Sequence, residues 1–187
     1  MSISLMQKWL TPFLFLLVSA CTLDTTRPCD PSLEQLVPAP GIFSEGSVMS
    51  TPDRGVSIES LTQPNSVCHV GYQHPGGGSA ILNLYAFDDI DRAKTGFQHL
   101  SERASIINPE FDIHEQSPLL SSVAQHANDL SIACHARVSR KTCTVVARYG
   151  LRVYWFDISQ PPVSEFIQDH LPQVIEAMES KMMSNGE

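Results

Sequence analysis

The chain has 187 residues, a formal charge of −8, and 42% hydrophobic against 17% charged side chains. That is enough length and apolar content for one domain with a real core. The acidic balance excludes nucleic acid as a natural partner and argues against electrostatic adhesion to anionic lipid, since both need clustered Lys and Arg.

The first element is an apolar run, residues 9 to 20, preceded by Lys8. Its 12 residues are too few for a bilayer-spanning helix, which needs about 20. A basic start, a short apolar stretch and small residues before a break are the marks of a secretory signal peptide. Val18-Ser19-Ala20-Cys21 resembles the lipobox of bacterial lipoproteins, in which the peptidase cuts before the cysteine and that cysteine carries the lipid. The resemblance implies a signal peptide over 1–20, lipidation of Cys21 and a membrane anchor through that residue. One acyl chain holds marginally and more than one holds stably, and lipoproteins of this type usually carry more than one. Thr22, rather than Asp, after the lipidated position implies sorting to the outer membrane of a Gram-negative cell, facing the periplasm. The competing reading is an ordinary secretory peptide that leaves Cys21 as a bystander.

Without residues 1–20, which carry Lys8 and no acid, 167 residues with a formal charge of −9 remain. The chain has five cysteines, and an odd number in an exported protein leaves one thiol to be explained. Acylation of Cys21 explains it. The other four allow three pairings, of which we expect Cys134 with Cys143 and Cys29 with Cys68. The first pair flanks a polar turn between two alternating apolar runs, the pattern of a β-hairpin with the two cysteines opposite each other. There is no Cys-x-x-Cys, so these read as structural staples rather than redox centres.

Residues 21–31 are polar with two prolines and read as a tether, 32–183 as a single domain, and 184–187 as a tail. Within the domain, 32–65 predicts a short helix or turn in "LEQLVPAPGIF" and a weak strand in "GVSIESL". "SVCHVGYQ" and "SAILNLYAF" flank "HPGGG" and predict a hairpin. Asp88 or Asp89 then caps a helix whose apolar face is Ile90, Ala93, Phe97, Leu100 and Ala104, at spacings of three and four. "NPEFDIHEQSP" reads as a loop. Strand character follows in "SSVAQH", "LSIACHARV", "CTVVARYG" and "RVYWFDIS", and Gln160-Pro161-Pro162 ends the sheet. The last helix carries Val163, Phe166, Ile167, His170, Leu171, Val174, Met178 and Met182 on one stripe, and Pro172 is expected to kink or split it. The fold class is α+β: a single antiparallel sheet with a middle helix and a C-terminal helix packed on it, and two disulfides. This order resembles small exported lipoproteins of unknown function.

No residue set names a reaction. The seven histidines include no two that lie three or four apart, so no metal is expected and no cofactor is implied. "HPGGGS" resembles the glycine-rich oxyanion loop of esterases, but the Gly-x-Ser-x-Gly partner is missing and a hairpin turn accounts for the glycines. Asp88, Asp89 and Asp91 lack the Gly and Glu of an EF-hand, leaving a helix cap. Tyr154 and Trp155 point to opposite faces of one strand, so one is core and the other is a candidate binding anchor if it is exposed. The leading expectation is a non-catalytic envelope lipoprotein that binds another, unidentified protein as an assembly accessory, inhibitor or immunity-type factor. The alternatives are a binder of a small apolar ligand beneath the Met-bearing last helix, and a hydrolase using His69 or His74 with Ser79.

Overall fold

Residues 28–43, 45–54, 63–107, 124–161 and 166–184 are described in the computed structural model. Six strands form one sheet: β1 (Val48–Met49), β2 (Ser66–Gln73), β3 (Ser79–Ala86), β4 (Asp129–Arg137), β5 (Arg140–Tyr149) and β6 (Arg152–Gln160). The order across the sheet is β1-β2-β3-β6-β5-β4, and every neighbouring pair is antiparallel. Among the described residues, helices α1 (Pro31–Glu34), α2 (Ile90–Ile107) and α3 (Phe166–Ser184) and a 3-10 turn (Pro40–Phe43) accompany it. The expected α+β architecture is therefore present.

Strand alternation divides the apolar residues between two faces. On one, Cys68, Val70 and Tyr72 of β2, Leu82 and Leu84 of β3, Tyr154, Phe156 and Ile158 of β6, and Val145 and Ala147 of β5 are buried with α1 and α3. On the other, Val67, Tyr85, Val146, Val153 and Trp155 pack under Ala93, Leu100 and Ala104 of α2. Both expected disulfides form. Cys134 and Cys143 are register partners with Cα atoms 4.0 Å apart, and Cys29 bonds Cys68 across a separation of 39 residues.

The second staple draws the chain start into the domain. Pro28 bridges Asp53, Cys29 is 5% exposed, and Asp30 caps α1 by accepting from the Ser32 amide while Pro31 takes the first helical position. Residues 28–31 are therefore fold rather than tether. A second correction concerns "SSVAQH": its described part, residues 124–126, is a turn, held when the His126 amide donates to Glu179 at 2.6 Å. A third is Ile90, expected on the inner face of α2 but 43% exposed. It stands in the first turn, just after Asp89, whose carboxyl accepts from the Arg92 amide and caps the helix. Pro172 lies inside α3 without splitting it. The apolar stripe of α3 gains Ile175, fully buried, beside Ile167, Leu171, Val174, Met178 and Met182. The leader, Cys21, "GVSIESL", "NPEFDIHEQSP", Val163 and residues 185–187 lie outside the described residues.

Candidate functional site

Neither Tyr154 nor Trp155 is available as an exposed anchor. Tyr154 is 0% exposed beneath α3 and stacks at 6.2 Å on Tyr149, and Trp155 is 4% exposed beneath α2. The strand alternation was right, but helices cover both faces at this point. Burial also drives the Tyr154 hydroxyl well above its ordinary pKa, with the neighbouring Tyr149 and Glu179 adding to the effect.

The described residues leave one part of the sheet less completely covered. On the α2 face, apolar burial ends at the row of register partners His69, Asn83, Trp155, Val146 and Ser131. The next row is Gly71, Ile81, Asp157, Thr144 and Ala133, and the one after it Gln73, Ser79, Ser159, Thr142 and His135. Here the inward-outward alternation of the strands carries hydroxyls, an imidazole and a carboxylate where the other half carries valines and aromatics. Ile81 is 42% exposed, while Leu82, its neighbour on the opposite face, is 1% exposed.

Asp157 is the centre of this half-face. Burial raises its pKa above the ordinary carboxylate value; the hydrogen bond donated by the Thr144 hydroxyl, then the His135 and Arg103 charges, act against that rise. Arg103 of α2 also sits 5.8 Å from the centre of the Trp155 ring, the geometry of a cation–π contact. Around it, Thr142 and Ser159 share a hydrogen bond at 3.1 Å, and His69 Nδ1 lies 2.8 Å from Asn83 Oδ1. Toward the β1 edge the face opens into a groove of about 430 Å³ lined by Val48, Met49, Ser50, Gly71, Tyr72, Gln73, Ser79, Ala80 and Ile81. This arrangement offers hydrogen-bonding groups around an apolar rim, a surface suited to recognition. Sequence reasoning missed it because each residue is unremarkable alone; only strand register brings them together.

The hydrolase alternative gains no geometry. Ser79 Oγ accepts from Arg140 at 3.0 Å, His69 faces Asn83, and His74 Nδ1 accepts from the Gly76 amide at 3.0 Å inside its own turn. These contacts leave the serine beside a guanidinium rather than a base. The apolar-ligand alternative loses its motivation, because Met178 and Met182 are 0% and 2% exposed within the packed core and only Met183, at 50%, faces out. Among the described residues no group of three or more His, Cys, Asp or Glu side chains converges on a metal-sized space. His74 and His170 come within 6.2 Å of each other, ring to ring.

The disulfides carry a statement about compartment. Such bonds persist where the surroundings are oxidising and are rare in the cytosol, so the domain is that of an exported protein. No family model and no curated protein matches the chain. Among solved structures, the extracellular domain of PknH from Mycobacterium tuberculosis is similar at a TM-score of 0.46 and 9% identity, over 85% of this chain and 99% of that one.

Proposed function

We propose that the protein is a lipid-anchored lipoprotein of the cell envelope, held by acylated Cys21, that binds another envelope protein without catalysing a reaction. The observation that carries the reading is the cysteine pairing. Cys29, Cys68, Cys134 and Cys143 are consumed in two disulfides, so the one cysteine left over is the one that ends the lipobox-like segment. With Thr22 behind it, the anchor belongs in the outer membrane on its periplasmic side. The binding role is supported by the polar half-face around Asp157 and the adjoining groove, which present recognition groups, with Ser79 held beside the Arg140 guanidinium.

Mass spectrometry of the protein purified from membranes tests the anchor: the expected N-terminal peptide begins at Cys21 and carries acyl chains, and Cys21→Ser removes the mass. A free thiol at Cys21 overturns the reading. Site-specific crosslinking from Ile81 in intact cells tests the partner, with one dominant protein adduct expected and a uniform background counting against it.

A further inference from the structure

Charge in this chain is unevenly distributed. Between Asp129 and Asp157 there is no acidic residue, and five basic ones occur: Arg137, Arg140, Lys141, Arg148 and Arg152. Arg148 is spent in an ion pair with Asp129 at 2.5 Å, and Arg152 lies at the opposite end of its hairpin, paired with Tyr149. The other three fall within residues 137–141, which read Arg-Val-Ser-Arg-Lys and form the tip of the β4–β5 hairpin, where Arg137 faces Arg140 in register. Arg140 is exposed and its described contact is with the neutral Ser79 hydroxyl; among the described residues neither Arg140 nor Lys141 forms an ion pair. At the apex stands Val138, 102% exposed.

We propose that this hairpin tip is a second membrane contact, inserting Val138 among anionic lipid headgroups while Arg137, Arg140 and Lys141 pair with their phosphates. An apolar apex flanked by cations matches the layering of a membrane interface, in which apolar groups sink to the acyl boundary and Lys and Arg stay at headgroup level. The tip is also convex: a two-residue loop can enter a soft surface but cannot enclose a ligand. Charge selects the occupant, because a negative surface attracts the basic tip and repels the acidic remainder of the chain, so contact through this end is the favoured orientation.

The inference builds on the anchor at Cys21. Only six residues lie between Cys21 and Pro28, seven chain steps with a reach of at most about 25 Å. Pro28 joins the β2 edge through Asp53, whereas the tip belongs to the opposite edge, about 29 Å away across six strand spacings. Two contacts at opposite edges fix the tilt of the sheet relative to the bilayer, which one flexible tether cannot.

The test places Val138→Trp in the whole protein, purified in detergent and reconstituted with brominated lipids, in vesicles of phosphatidylcholine alone or mixed with phosphatidylglycerol. Trp155 is 4% exposed and serves as the background, subtracted with the wild type. Quenching of the new tryptophan is expected with phosphatidylglycerol. It should be lost in about 1 M salt, where the Debye length falls to about 3 Å, and weakened roughly fivefold for each of Arg137→Gln, Arg140→Gln and Lys141→Gln. Quenching that is absent, or equal in the two vesicle types, overturns the proposal. Flotation of the wild type with phosphatidylcholine vesicles reads the anchor separately: quenching without that flotation keeps the tip and removes the anchor. A crosslinker at position 138 that captures an acidic protein in cells instead of lipid also overturns it.

Discussion

On the α3 face of the sheet, strands β2, β3, β6, β5 and β4 all contribute buried side chains, whereas on the α2 face burial gives way halfway along to hydroxyls, an imidazole and Asp157. The α3 face also holds both disulfides and the docking of α1, the 3-10 turn and α3. Stability is therefore concentrated on one side, which frees part of the other to carry groups chosen for something besides packing. The comparison makes a graded set of expectations.

The largest effect belongs to the α3 face. Replacing Cys29 and Cys68 together by Ala opens a loop of about 40 residues and is expected to cost about 4 kcal/mol on the chain-entropy model, against roughly 2.7 for the ten-residue loop of Cys134 and Cys143. Urea unfolding of the two double variants measures the difference. If the two cost the same, docking of the chain start does not depend on its staple, and the stabilising role assigned to that face shrinks.

Gly96 tests the covered half of the other face. A Cβ there would stand 2.5 Å from Cζ of Phe87, a ring only 4% exposed. Two effects oppose each other in Gly96→Ala: about 1 kcal/mol of helix propensity gained and an overpacking cost of about 1 to 3 kcal/mol. Because the ring is enclosed and the approach is far inside van der Waals contact, overpacking is expected to win, leaving the variant less stable by up to about 2 kcal/mol by thermal melt. A more stable variant would show that α2 can move off the sheet at little cost, and that this half is looser than its burial implies.

Asp157 distinguishes the polar half from the packed one through pH. A carboxyl whose folded pKa lies above its ordinary 3.8 binds its proton more tightly when folded. Its stabilising contribution is complete below the ordinary value and is lost as pH rises through the raised folded value. Asp157→Asn keeps an oxygen that accepts from Thr144 and never ionises. The variant is therefore expected to melt higher than the wild type near neutral pH, with the difference closing in acid. A constant difference across that range would mean that the Arg103 and His135 charges fully offset the burial of Asp157.

The contrast between the faces also explains what could be read in advance. The strands β2, β3, β4, β5 and β6, the cap by Asp88 or Asp89 and the pairing of Cys134 with Cys143 follow from alternation, helical spacing and hairpin geometry, all local signals, whereas Cys29 and Cys68 are the pair those two leave. The turn at residues 124–126 does not follow from such signals, because "SSVAQH" has the composition of a strand and its fate is decided by Glu179, some 53 residues away. Trp155 is a candidate anchor by sequence and a core residue by structure because alternation gives the face of a residue but not what covers it. Asp157, Thr144, Ser159 and His69 are invisible as a group for a related reason: they come from three strands, β6, β5 and β2, and only the register of β2, β3, β6 and β5 makes them neighbours.

The smallest expected effect on stability is the most informative about function. Ile81 and Leu82 are adjacent on β3 and chemically alike, yet one is 42% exposed over the groove and the other 1% exposed in the α3-side core. Leu82 truncated to Ala removes packed volume and belongs with core changes costing about 2 to 5 kcal/mol. Ile81→Ser removes a methylene-rich side chain from a rim that is already wet, and is expected to move unfolding by no more than about 0.5 kcal/mol. If the polar half-face and its groove serve recognition, that silent substitution lowers the yield of the partner adduct in cells while the melt stays where it was. Should Ile81→Ser destabilise the fold as a core change does, the groove is closed in solution, and the asymmetry between the two faces is one of packing style rather than of purpose.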